Sequence, residues 1–399
     1  MTVREHVDPL GSLDSGHLPH DESLHVDGTL PLGLDGTFLL SGPPPGGSYV
    51  AGGPALVSGV RLGGGTARRH RASGEPRGDV PGQAPGSAIW IRPTGPADPP
   101  PDGPCRASVA PPLKDRACAE WHTIATYPGL DTAEHLVIGA DGRVLDARPF
   151  ALDGAPLMRA VALTDRFVVV FDLPVTYRRA AAMIGAGSPY RWQHGRPARI
   201  GLLPRRAGDA TEPLWFAIDP CFVLQTVNAH DDGHRVVVDA VRCARAFDTP
   251  EWSPGDAAGS SRVYRWTLDL ATGAAHERPL TGALDLASVD PRQSGHRHQL
   301  IFGRAPGGRA VIGHDLAAGT TQLRELGPGW RAGRPVFVPR GVAEGDGWIV
   351  VLAQNAALRR SELLVLDALN LTGRPEAVVH VPATFPEAHS TTWLPAHHH

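Results

Sequence analysis

The chain has 399 residues, 41 acidic against 38 basic side chains, a formal net charge of −3 and 42% hydrophobic residues. That is apolar material enough for one large domain, and too little positive charge for a nucleic-acid surface or a polybasic membrane anchor. The first 28 residues are polar and acidic without an apolar h-region, and no apolar run approaches the roughly 20 residues of a membrane span. A cytoplasmic protein without stable membrane insertion is expected. Cys105, Cys118, Cys221 and Cys243 lack CxxC spacing, so reduced thiols are expected and a zinc site is not. His397, His398 and His399 read as the remnant of an affinity tag, which leaves residues 1–396 as a single domain.

Taken in chain order, residues from about 42 to 108 stand apart. They include Gly42-Pro-Pro-Pro-Gly-Gly47, Gly63-Gly-Gly65 and Ala97-Asp-Pro-Pro-Pro-Asp-Gly-Pro104, and are expected to be loop-rich and partly disordered. Beyond them, short β-branched or apolar runs alternate with Gly, Pro, Asp and Asn, as in Phe167-Val-Val-Val-Phe-Asp172, Arg235-Val-Val-Val-Asp239 and Trp348-Ile-Val-Val-Leu352. The one helical piece expected is short, around Tyr177–Ile184.

A repeat overlies this pattern. Trp266-Thr-Leu-Asp-Leu-Ala-Thr-Gly273, Ile312-Gly-His-Asp-Leu-Ala-Ala-Gly319 and Leu364-Val-Leu-Asp-Ala368 each run a strand into Asp and a small-residue turn, their aspartates 46 and 52 residues apart. His135-Leu-Val-Ile-Gly-Ala-Asp-Gly-Arg143 is a fourth relative. Strand-only repeats of about 40–50 residues indicate a β-propeller; a two-sheet sandwich is the other arrangement such strands allow.

Several segments then fall in a specific order. Gly28-Thr-Leu-Pro-Leu-Gly-Leu-Asp-Gly-Thr-Phe-Leu-Leu-Ser-Gly-Pro-Pro-Pro45 is followed by Pro156-Leu-Met-Arg-Ala-Val-Ala-Leu-Thr164 and Pro220-Cys-Phe-Val-Leu-Gln-Thr-Val-Asn-Ala-His-Asp-Asp232. Pro335-Val-Phe-Val-Pro-Arg340 and His389…Trp393-Leu-Pro395 close the series. Together they resemble the carotenoid cleavage oxygenases, the group that includes apocarotenoid and stilbene oxygenases. The resemblance implies an all-β, seven-bladed propeller, here with a trimmed N-terminal blade, and an apolar tunnel above an Fe(II) held by four histidines.

The resemblance places other residue types at those ligand positions. The histidine of P-x-M-H is Arg159, that of V-F-H-x-x-N-A is Gln225, and the first ligand position falls on Pro111 in Ala110-Pro-Pro-Leu-Lys-Asp-Arg-Ala-Cys-Ala-Glu120. His389 alone remains. A carboxylate that would orient such a histidine is replaced by Arg334, and another such position carries Asp285. A guanidinium has no electron pair for a metal, proline has no donor and glutamine is a weak one, so no metal cofactor is expected.

The cavity floor would then hold Arg159, Gln225, His389, Arg334 and Asp285. Either Arg159 and Asp285 form a buried ion pair that plugs it, or Arg159 stabilises developing negative charge while Gln225 orients a carbonyl and His389 moves a proton. The expected partner is an apolar small molecule: a polyene, terpenoid or polyketide of bacterial specialised metabolism. Three readings follow: a metal-independent isomerase, cyclase or lyase; a non-catalytic binding protein; and an Fe(II) dioxygenase with an altered ligand set. His122, His135, His230, His234, His296, His298 and His314 lack ligand spacing, and His296-Arg-His298 reads as surface polarity.

Overall fold

A computed structural model describes residues 22–42, 56–71, 88–91, 105–127, 129–184, 188–206, 212–249, 252, 257, 259–382 and 390–396. Its elements are almost all strands, and every pairing among them is antiparallel. The chain divides into two compact units, one built mainly from 78–282 and the other from 13–77, 283–293 and 298–399.

The first unit holds three blade-like meanders. One runs Ala88–Ile91, Cys105–Val109, Trp121–Thr126, Thr132–Ile138, Val144–Ala151. The second runs Val161–Leu163, Phe167–Asp172, Ala198–Pro204, Leu214–Ile218, and the third Phe222–Asp232, Arg235–Cys243, Arg262–Asp269, Ala275–Ala283. A two-stranded ribbon, Val175–Tyr177 with Tyr190–Trp192, brackets the six-residue helix Arg179–Ile184, close to where the sequence places one. Inner strands are apolar on both faces because both are covered: Val168, Val169 and Val170 are fully buried. Where one face is wetter the sequence alternates, as in the second half of Arg262–Asp269, which buries Trp266 and Leu268 between half-buried Arg265, Thr267 and Asp269.

The second unit also holds three sheets. Asp285–Ser288, Leu300–Arg304, Ala310–Asp315 and Thr320–Glu325 form a four-stranded meander. The other two mix strands from both ends of the sequence: Val26–Gly28 pairs with Ala377–Val381, and Ser390–Pro395 pairs with Gly36–Gly42. Their shared core packs Phe38, Leu40, Val60 and Leu62 with Trp348, Val350, Val365 and Val379.

The Asp turns of the sequence repeat link neighbouring strands in three sheets. Asp269 Oδ1 accepts the amides of Ala271 and Thr272 at 3.0 Å each, Asp315 Oδ1 those of Ala317 and Ala318 at 2.8 and 2.9 Å, and Asp367 Oδ1 those of Leu369 and Asn370 at 2.8 and 3.1 Å. The carboxylate thus satisfies two amides that the hairpin leaves without a ladder partner.

Within 42–108, the stretch expected to be loop-rich, strands Leu56–Gly63, Thr66–Arg71, Ala88–Ile91 and Cys105–Val109 are present, and apart from Gly42 and the turn at Gly64 and Gly65 the rest lies outside the described residues. Gly28 shows how tightly the N-terminal strand is held. At φ +87°, a Cβ there would sit 2.4 Å from the Glu376 carbonyl oxygen. Gly28→Ala is expected to cost about 2 kcal/mol from the left-handed backbone alone, read as a lower denaturation midpoint.

Candidate functional site

Arg159 lies in the first unit, on the extended segment that leads into strand Val161–Leu163. The segment is fixed upstream by the Leu157 amide donating to the Val175 carbonyl at 2.8 Å. Arg159 is half-buried between Met158, 1% exposed, and Ala160, 6% exposed. Its charge reaches Tyr190: burial pushes that phenol up to about 12, and the Arg159 guanidinium opposes the rise. Tyr190 meets Tyr177 edge to face at 5.7 Å.

Gln225 belongs to the same unit, half-buried in strand Phe222–Asp232. The ladder shifts register between Val223 and Gln225, the kind of irregularity that re-aims a side chain. The Thr226 hydroxyl donates to the Val161 carbonyl at 2.6 Å, tying the strand that carries Gln225 to the segment that carries Arg159. Pro111 is half-buried in this unit too, one residue after Ala110, whose carbonyl accepts the Thr123 hydroxyl at 2.5 Å. None of these three side chains suits a metal that imidazoles would hold: a cation, a ring without a donor, and an amide oxygen.

Arg334 and Asp285 are in the second unit. Burial lowers the Arg334 guanidinium to about 10, and among the described residues it has no hydrogen-bonded or ion-paired partner. Asp285 does not await an ion-pair partner from elsewhere. Its cross-strand neighbour Arg304 holds it through Nε at 2.6 Å, and burial is what raises its carboxyl pKa. The sequence offers Arg159 as one possible ion-pair partner for Asp285; the cation that register places opposite this carboxylate is Arg304. His389 lies outside the described residues.

Histidines read as ordinary polar positions include a buried chain in the first unit. His135 is fully buried and His122 is 3% exposed, their rings stacked at 5.1 Å. Arg148 donates to His135 Nδ1 at 2.8 Å, and His135 Nε2 meets His122 Nδ1 at 2.9 Å. A guanidinium can only donate, so His135 must carry its proton on Nε2 and give that hydrogen bond to His122. His122 then carries its own proton on Nε2, facing Asp115 Oδ2 at 3.8 Å, while Asp115 is also paired with Arg205. Burial lowers both imidazoles, His135 to about 2, with Arg148 adding to the effect. Sequence spacing does not show this pair, which meets only because Trp121–Thr126 and Thr132–Ile138 are adjacent strands. His298, read as surface polarity with His296, is also buried at 3% exposure.

Comparison with known proteins decides the family. Residues 104–395 match the profile of the retinal pigment epithelial membrane protein (RPE65) family. The chain belongs to this family, that of the carotenoid cleavage oxygenases. A Mycobacterium tuberculosis carotenoid cleavage oxygenase is 28% identical over 346 residues, covering 72% of this chain and 68% of that protein. The Synechocystis apocarotenoid-15,15'-oxygenase is 27% identical over 272 residues, covering 62% of this chain and 54% of that protein. Among solved structures, the Pseudomonas brassicacearum lignostilbene dioxygenase superposes with a TM-score of 0.77 at 21% identity, over 96% of each chain. Cobalt-substituted Synechocystis apocarotenoid oxygenase gives 0.76 at 20% identity, over 94% of this chain and 96% of that one. The fold of this family member is accordingly the all-β propeller of those oxygenases. No helix among the described residues is long and apolar enough to cross a membrane.

Proposed function

We propose that this carotenoid-oxygenase-like protein is an enzyme that acts on an apolar polyene, terpenoid or polyketide without a resident metal, as a non-oxidative isomerase, cyclase or lyase of bacterial specialised metabolism. The observation that carries the reading is Arg159, a cation where the family resemblance puts a metal-binding histidine, half-buried and near enough to Tyr190 for its charge to act on that phenol. A permanent positive charge in a half-buried position favours an oxygen that gains negative charge as a conjugated system rearranges, and desolvation strengthens that attraction. Gln225, on the neighbouring strand, supplies an amide N–H that can hold the same oxygen in register. Neither residue needs an oxidant, which is why the reading is an isomerisation, cyclisation or elimination.

Protein produced with iron supplied should carry well under one equivalent of metal. Arg159→Ala should lower kcat by about 100- to 1000-fold, the loss typical of removing one donor to a developing oxyanion, with the fold intact by circular dichroism. Stoichiometric iron bound by the wild type, or full turnover by Arg159→Ala, overturns the proposal. An apolar ligand that co-purifies and leaves chemically unchanged favours a carrier instead.

A further inference from the structure

Within the second unit, three side chains meet across the edge where Val26–Gly28 pairs with Ala377–Val381. His25 Nε2 stands 3.1 Å from Asp27 Oδ1, and His380 Nε2 stands 2.7 Å from Asp27 Oδ2. The two imidazole rings stack at 5.3 Å with their planes 21° apart, and the three ligand atoms lie within 4.8 Å of one another. Nothing in this arrangement serves the proposed chemistry around Arg159.

We propose that His25, Asp27 and His380 form a surface site for a divalent transition cation of the zinc type, which clips the N-terminal strand to Ala377–Val381. Two imidazoles and one carboxylate are a ligand set such ions take, with the fourth position left to water. Metal–ligand distances near 2.0–2.1 Å put tetrahedral donors about 3.3 Å apart, so the observed separations need only small side-chain adjustments. A second observation points the same way. Glu362 Oε1 lies 3.7 Å from His380 Nδ1, on the far side of the ring from Asp27. A carboxylate there favours the Nδ1–H tautomer, leaving the Nε2 lone pair for a metal. The pairing of Val26 with Val379 and the His380 amide donating to the His25 carbonyl at 2.9 Å hold both histidines on rigid backbone. The other carboxylate–thiol cluster, Asp115 with Cys118 and Glu120, is a weaker candidate because Asp115 is already paired with Arg205.

The site is tested on the full chain by titrating Zn2+ into wild type and His380→Gln side by side at pH 7.5. The terminal histidines are common to both proteins and cancel in the difference. Wild type should take up one equivalent more than His380→Gln, with a rise in thermal midpoint that the variant lacks. Asp27→Asn should lose the same equivalent, and Glu362→Gln should weaken it about 10-fold. With Co2+ in place of Zn2+, the wild type should show the visible absorption of tetrahedral cobalt that His380→Gln does not. Identical Zn2+ uptake by wild type and both ligand variants, each shown folded by circular dichroism, overturns the proposal.

Discussion

Acidification from pH 7.5 to 5 should remove about 2 kcal/mol of stability through His135 alone. The direction follows from where the protons go. A free imidazole takes up a proton near pH 6.5, but burial and the facing Arg148 hold folded His135 neutral down to about 2. The contribution is therefore complete above about pH 6.5 and is lost steadily as pH falls, at about 1.4 kcal/mol per unit, because only the unfolded chain binds the proton. His122 is lowered for the same main reason and works in the same direction. Urea midpoints at pH 7.5, 6 and 5 measure the slope. His135→Phe should shrink the difference between the extremes by about 2 kcal/mol; an undiminished slope in that variant would show that the imidazole is not held neutral.

The second large effect concerns the third sheet of the first unit. Asp239, 1% exposed, accepts from Arg265 Nε at 2.8 Å and from its terminal nitrogen at 2.6 Å, a bidentate pair across two register-matched strands. Removing Arg265 takes the bidentate partner from a buried carboxylate, so Arg265→Met should cost about 3–5 kcal/mol. The double variant Asp239→Leu/Arg265→Met should recover most of that loss, since a well-packed apolar pair can replace a buried ion pair at little cost. Chemical denaturation of the two singles and the double gives the coupling directly. Additive losses would mean that the pair has no mutual interaction to lose.

The sequence made the fold legible because its signals were local and redundant. Asp269, Asp315 and Asp367 announce hairpins through a side-chain geometry that involves only the next three residues. The valine run at 168–170 needs no partner to be recognised as a strand covered on both faces. The ordered family motifs then pointed to one propeller over the sandwich. The site was legible only in residue type. That Arg159 and Gln225 replace histidines is a matter of alignment, but which cation Asp285 would choose depended on strand register, which put Arg304 opposite it. The His122–His135 chain escaped notice for the same reason. Residues 13 apart carry no recognisable spacing until two adjacent strands place their rings 5.1 Å from each other.

The way the second unit borrows strands has a consequence for biogenesis. Val26–Gly28 and Gly36–Gly42 are made long before their partners Ala377–Val381 and Ser390–Pro395. During synthesis the early strands must wait with open edges, a state that invites mispairing with neighbouring nascent chains. Because loop closure over such a span must precede any gain from pairing, final sealing should be slow. A polypeptide cut short before Ala377 would therefore lack both partner strands and leave two sheets unsealed, which marks the product for proteolysis.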